Sequence, residues 1–352
     1  MKTKKIILAA FIMLCSLNEI YAQWQKTNFS DDGKIKCIAA CDDNIFVVVG
    51  GENHGVFKST NNGKKWTKLN LYHLGKTTIA GEIFVQTLAV NGKNIFAGTS
   101  GDGVFLSTNN GNTWTAVNNG LPNYVPSGII DINSLAISGV NIFAGTKGGI
   151  FLSTNNGNSW TAVNNGLPKN IIVNSVTISG TNIFAGTQQG IFLSTNNGSN
   201  WTAINNGLPN QINGNVTWIQ SIVVSGSNIF AGAFEDGIFL SKDNGSTWKA
   251  VNTGLPKEST PLTHKSSTAT IPIIFMLANN SEIFAIAANA STYSYGGGIF
   301  ISTNNGDSWT AVNNGLPDGI SVNSLAIIGT NIFCGITNNK GIWMCPLSSL
   351  SK

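Results

Sequence analysis

The sequence returns six times to one octapeptide, and that return constrains the fold more than any other feature. Ser107-Thr108-Asn109-Asn110-Gly111-Asn112-Thr113-Trp114 has near copies at 59–66, 153–160, 194–201, 241–248 and 302–309, all of the form Ser-x-Asx-x-Gly-x-x-Trp. The Asx is Asn61, Asn109, Asn155, Asn196, Asp243 and Asn304; the Trp is Trp66, Trp114, Trp160, Trp201, Trp248 and Trp309. A self-similar period of about 40–50 residues belongs to propellers and solenoids. Apolar, strand-like runs flank each copy, 149–152 ahead of one and 160–163 behind it, so the Asn-Asn-Gly between them reads as a hairpin turn. Gly supplies the positive φ, the Asx side chain bonds backbone N–H groups further on, and the Trp buries a large ring. The turn offers no base, nucleophile or metal cluster, which makes it a structural clasp.

Each repeat reads as four strands. In 132–166 they are 133–138, 141–146, 150–154 and 160–164, with Asn165-Gly166-Leu167-Pro168 as a breaker. Four strands per period is one propeller blade. The ends supply a seventh: Trp24-Gln25-Lys26-Thr27 matches a fourth strand, and Gly341-Ile342-Trp343-Met344-Cys345 a third that stops where the Ser would stand. The expectation is an all-β, seven-bladed β-propeller of four-stranded antiparallel blades over 23–352, its ring closed by the N-terminal strand pairing with the C-terminal strands. Closure removes exposed sheet edges, and the chain is expected to be a monomer.

Residues 1–22 read as a secretory signal peptide: Lys2, Lys4 and Lys5, an apolar core at 6–14, and a cleavage site near Ala22. No later stretch approaches membrane-spanning length. The mature chain would carry 17 Lys against 15 acidic residues, no electrostatic case for nucleic acid. All 20 basic residues are Lys, with no Arg. Cys37, Cys41, Cys334 and Cys345 lack metal-type spacing and read as small buried thiols, with a Cys334–Cys345 bridge as the alternative in an oxidising compartment. No cofactor or metal is expected, since His54, His73 and His264 fall in loops of different blades without partner carboxylates.

Alternating strand direction puts the octapeptide turns on one face of the ring. Every long insertion falls on the other: 71–82, 123–130, 210–217, 257–270 and 288–297. Variable loops on a repeating scaffold carry function. They bring Tyr72, Tyr124, Trp218, Tyr293 and Tyr295 to that face, and the short turns bring Glu52, Asp102, Glu235 and Asp236. Such residues suit a sugar or a protein partner, or else pack their own loops. Aligning the innermost strands places Lys36, Gln86, Asn133, Asn174, Gln220 and Asn323 at one position, with Ile274 the exception. This ring near the channel mouth either binds a ligand or satisfies backbone and water.

The octapeptide resembles the Asp-box, or bacterial neuraminidase repeat, of sialidases, sortilin-type receptors, two-propeller xyloglucanases and photosystem II assembly factors. The resemblance covers 24–345 and implies the propeller fold. Sialidases hold the substrate carboxylate with an arginine triad, and a chain without Arg does not fill those positions. Xyloglucanases set two catalytic carboxylates between two propellers; here Asp102, Asp131, Glu235 and Asp236 are the carboxylates on offer. The expectation is an exported, non-catalytic binding or scaffold propeller of the periplasm or exterior, taking a protein or glycan on the insertion-bearing face. A polysaccharide-acting glycoside hydrolase is the alternative.

Overall fold

The computed structural model describes residues 23–31, 33–50, 55–69, 84–124, 128–210, 216–257, 272–288, 298–319, 321–336 and 341–350. Residues 1–22, Glu52, His54, Tyr72, His73, His264, Tyr293 and Tyr295 lie outside these. Seven four-stranded antiparallel sheets form the blades of a propeller. Their inner strands are Lys34–Cys41, Val85–Asn91, Ile132–Ser138, Val173–Ser179, Ile219–Ser225, Ile273–Asn279 and Val322–Ile328, and each packs on the next until the last meets the first. We number the blades 1 to 7 in that order.

Closure follows the expected route. In blade 7 the outer strand is Gln25–Lys26, paired antiparallel with Gly341–Pro346 through Gln25↔Met344 and Lys26↔Trp343. Trp24 behaves as the seventh repeat Trp: its indole N–H donates to Val312 O in blade 6, as Trp201 donates to Val163 O in the preceding blade. In blade 4 the strands are Val173–Ser179, Asn182–Thr187, Gly190–Ser194 and Thr202–Ala203. The outermost is shorter than expected because backbone pairing beyond it reduces to one bond, Ile204 N to Ile191 O.

The octapeptide turn is self-contained. Ser194 Oγ donates to Asn196 Oδ1 and accepts from Gly198 N, and Asn200 N donates to Asn196 Oδ1. Positive φ falls on two residues, Asn197 at 54° and Gly198 at 83°, rather than on Gly alone. That explains an unbroken Asn-Gly in all six copies, since Asn tolerates the left-handed region better than other side chains. In the one Asp copy, hydrogen bonds from the Thr247 hydroxyl and amide and from Ser241 hold the Asp243 carboxyl below its ordinary range.

A second repeated device joins blades. Asn164 Oδ1 accepts from Ile150 N, Leu167 N closes a turn on Asn164 O, and Trp201 N of the next blade donates to Asn165 O. Gly166 sits at φ 88°, where a Cβ would lie 2.1 Å from Trp201 O. Asn-Gly-Leu-Pro is thus a clasp between blades as well as a breaker. Equivalents follow blades 2, 4, 5 and 6, through Asn118, Asn205, Asn252 and Asn313. Cys334 and Cys345 are buried and unbridged, since Cys334 is in register with Trp343 and Cys345 with Ile332. Cys37 and Cys41 are only partly buried, a correction to the expectation of four buried thiols.

Candidate functional site

The inner strands share an irregularity that builds the site. Each has a β-bulge at the same place, between Ile35/Cys37, Val85/Thr87, Ile132/Ser134, Val173/Ser175, Ile219/Ser221, Ile273/Phe275 and Val322/Ser324. The extra residue in each case is Lys36, Gln86, Asn133, Asn174, Gln220, Ile274 or Asn323. A bulge leaves its residue out of the ladder and re-aims it. All seven line one cavity of about 490 Å³ at the insertion-bearing end of the central channel.

The ring divides by side-chain length. Asn133, Asn174 and Asn323 donate through Nδ2 to Val173 O, Ile219 O and Ile35 O, the carbonyls just before the next blade's bulge. The short amides therefore latch neighbouring blades. Asn323 Oδ1 is buried and has no hydrogen-bond partner among the described residues. Lys36, Gln86 and Gln220 make no hydrogen bond to another described residue. The following residue is a second latch: Ser134, Ser175, Ser221 and Ser324 accept from Val176 N, Ile222 N, Met276 N and Ile38 N of the next blade. In blade 1 that place holds Cys37, whose thiol burial pushes up to about 11.

Two residues before each bulge the chain crosses the rim and meets the residue after the second strand. Here the blades stop resembling one another. The pair is Lys34 with Gly50 in blade 1, Phe84 with Ser100 in blade 2, and Asp131 with Lys147 in blade 3; blade 4 has Ile172 with Gln188, blade 5 Trp218 with Phe234 and blade 6 Pro272 with Ala288. Asp131 Oδ2 lies 2.5 Å from Lys147 Nζ, and Oδ1 accepts from Ser100 Oγ at 2.9 Å. Burial pushes the Asp131 carboxyl up, but those two partners outweigh it and hold it below the usual range. Trp218 is 39% exposed, its ring 5.9 Å from that of Phe234.

Other expected residues take varied places. Asp102 and Glu235 are buried within the turns between second and third strands. Asp236 accepts from Thr217 Oγ1 at 2.5 Å, tying down the insertion at 210–217, which is pinned also by the Asn210–Val216 bridge. Tyr124 lies in a two-residue strand paired with Gly128–Ile129, so the two described ends of that insertion are held together. Among the described residues no group of three or more His, Cys, Asp or Glu is placed to hold a metal ion, and no helix is long and apolar enough to cross a membrane.

A sequence profile described as the DUF6242 β-propeller domain matches residues 19–281. The chain belongs to that family. No curated protein sequence matches this DUF6242 propeller. Solved structures of the same fold include the extracellular domain of a putative hybrid two-component system from B. thetaiotaomicron, at TM-score 0.66 and 14% identity over 92% of this chain and 39% of that one. YCF48 bound to D1 peptide matches at 0.64 and 12% over 93% and 97%, and an ancestral GH74 enzyme at 0.63 and 19% over 92% and 46%. This chain thus spans about two-fifths of the first of these proteins. Such identities establish the fold, and the fold hosts an enzyme as readily as a peptide-bound protein.

In this DUF6242 chain sequence reasoning missed Lys147, Phe84, Phe234 and the latching serines. The signal was present: aligning the ends of the second strands shows six different rim residues, three of them after identical Phe-Ala-Gly-Thr runs.

Proposed function

We propose that this propeller is an exported, non-catalytic binding or scaffold protein that holds a protein segment or glycan of the cell envelope or exterior at the channel mouth. The observation that carries the reading is the inequality of the rim. One scaffold repeats its turns, latches and clasps around the ring, while the pair at the mouth is ionic in blade 3, aromatic in blade 5 and apolar in blade 6. Folding alone would be served by repeating one pair. A cavity of about 490 Å³ lined by amides, hydroxyls and two Lys is within the size of ligand sites, and Trp218, two residues before the lining Gln220, is an exposed flat surface. The basic start at 1–22 supports export, and the turns support an Asp-box assignment in the sortilin-like and assembly-factor-like branch.

Peptide and glycan arrays probed with the purified protein test this. Retention of a defined ligand by wild type, weakened about tenfold in Trp218→Ala or Lys147→Ala, is expected. Retention unchanged in both variants would move the site elsewhere. Release of reducing sugar from a polysaccharide panel would replace the binding reading with the hydrolase, and release of sialic acid would overturn the argument from the missing Arg.

A further inference from the structure

Blade 1 departs from its neighbours in a way that opens a second cavity. In five blades the fifth residue of the second strand is Gly, and the β-branched residue before the next blade's bulge seats against it. A Cβ on Gly98 would lie 2.6 Å from Ile132, on Gly186 2.8 Å from Ile219, and on Gly232 2.6 Å from Ile273. In blade 1 this position is Val48, buried, and the residue facing it from blade 2 is the smaller Val85. Val48 fills the recess itself. Two residues on, where other blades put Ser100, Lys147, Gln188 or Phe234 on the rim, blade 1 has Gly50.

The result is a cavity of about 230 Å³ between blades 1 and 2, lined by Lys36, Val49, Gly50, Phe84, Val85, Gln86 and Ser100. Phe84 and Val85 make one side of it apolar, with Phe84 43% exposed at the rim, and Lys36, Gln86 and Ser100 make the other polar. Three of its residues, Lys36, Gln86 and Ser100, also line the channel cavity, so the two spaces adjoin there. Lys36 has no ion-pair partner among the described residues, and its stem runs along Gly50, where a Cβ would meet Lys36 Cε at 3.1 Å. Asp131, by contrast, is already paired with Lys147.

We infer that the seam between blades 1 and 2 is a specificity subsite for an apolar side chain carrying a carboxylate beside it. This rests on the binding reading above. The apolar group enters over Gly50 beside Phe84 and Val85, the carboxylate meets the Lys36 ammonium at the junction, and the remainder of the ligand lies along the amides of the channel mouth. The complementarity is both steric and electrostatic: a hole created by two departures from the repeat, next to the one ring cation. That chemistry occurs in an acidic–apolar pair within a peptide and in a free N-acylated amino acid.

The test uses the full protein and an array of immobilised hexapeptides pairing Asp or Glu with Val, Leu, Ile or Phe, with Asn and Gln counterparts, alongside N-acetyl amino acids in solution. Two variants borrow residues from other blades: Gly50→Gln, as at Gln188, fills the hole, and Lys36→Gln, as at Gln86, removes the charge. Gly50 has no positive φ, so a side chain there displaces only the Lys36 stem. Wild type should prefer carboxylate over amide peptides by about tenfold, Gly50→Gln should lose binding, and Lys36→Gln should lose the preference. Binding of the N-acetyl amino acids alone would assign the subsite to a small molecule, and binding of the peptides alone to a chain segment. Equal binding by Gly50→Gln, an unchanged preference in Lys36→Gln, or no carboxylate ligand bound would overturn the inference. Retention of some other ligand through Trp218 would still leave the binding propeller standing, and no retention on any array would remove both.

Discussion

The seam between blades 3 and 4 and the seam between blades 1 and 2 come from the same repeat and are built differently. Between blades 3 and 4, Asn164-Asn165-Gly166-Leu167 wraps the backbone of Trp201, whose indole donates to Val163 O, and Val173 seats on Gly145. Between blades 1 and 2 there is no Gly-Leu-Pro, Trp114 donates to Gly111 O in its own turn, and Leu69 packs on that turn instead. The seam on the other side of blade 1 is similar: Trp66 donates to Gly63 O, and Phe29 packs edge-on against Trp66 and Phe57 at 5.2 Å. On both sides blade 1 therefore lacks the outer clasp and packs that edge by apolar contact, with Asn323 and Ser324 latching its inner strand to blade 7, whereas the other five seams carry the clasp and an indole bond between blades. Hydrogen bonds fix geometry, and apolar contact leaves room to vary it. The departures that open the side cavity are tolerated where the clasp is missing.

The sharpest way to break this comparison is Gly166→Ala, which forces a Cβ to within 2.1 Å of Trp201 O at φ 88°. We expect a loss of about 3 kcal/mol or more in urea unfolding. Gly92→Ala, at φ 57° with nothing within 4 Å, should cost only about 1 kcal/mol. Equal losses would mean that the clasp fastens nothing. Next in size is an exchange between seams: Ile132→Val shortens the buried side chain that seats on Gly98 by one carbon and should cost about 1 kcal/mol. Val85→Ile, where a side cavity is available, should cost less than that by thermal unfolding.

Trp201→Phe and Trp66→Phe sharpen the difference further. The first loses a bond between blades and should cost about 1–2 kcal/mol, the second a bond within one exposed turn and under about 1 kcal/mol. Smallest is the effect of acid on the rim pair. The Asp131 carboxyl titrates below its ordinary value in the folded chain, so its contribution is complete above about pH 4 and is lost as pH falls through the lowered value. With Lys147 60% exposed that contribution is under about 1 kcal/mol, and Asp131→Asn should flatten the acid limb of stability by no more.

Much of this was legible in the residues. The octapeptide gave the blade, the truncated copies at 24–27 and 341–345 gave the closure, and aligned inner strands gave the ring of polar residues, because each depends on a period that chain spacing preserves. Residues whose role depends on orientation were harder. Asp102 and Glu235 stand in turns and look accessible, yet the short connection between second and third strands folds them inward. The bulge that turns Asn174 out of its ladder is a matter of register between strands, which spacing does not report. Asn-Gly-Leu-Pro reads locally as a strand breaker, and its grip on Trp201 appears only once the next blade is in place. Val48 and Gly50 were visible as departures from Phe-Ala-Gly-Thr, but a departure acquires meaning only beside the residue it faces, here Val85.

The most direct measurement is site-specific photo-crosslinking on the two faces of one blade. A photoreactive side chain at Gln188, on the rim of the insertion-bearing face, and another at Thr181, in the first-to-second turn opposite, would each be exposed to a solubilised cell-envelope extract. A discrete adduct at Gln188, competed by added unlabelled protein, is expected, and none at Thr181. A discrete adduct at Thr181 with none at Gln188 would contradict it, placing the partner on the face that the repeat keeps uniform.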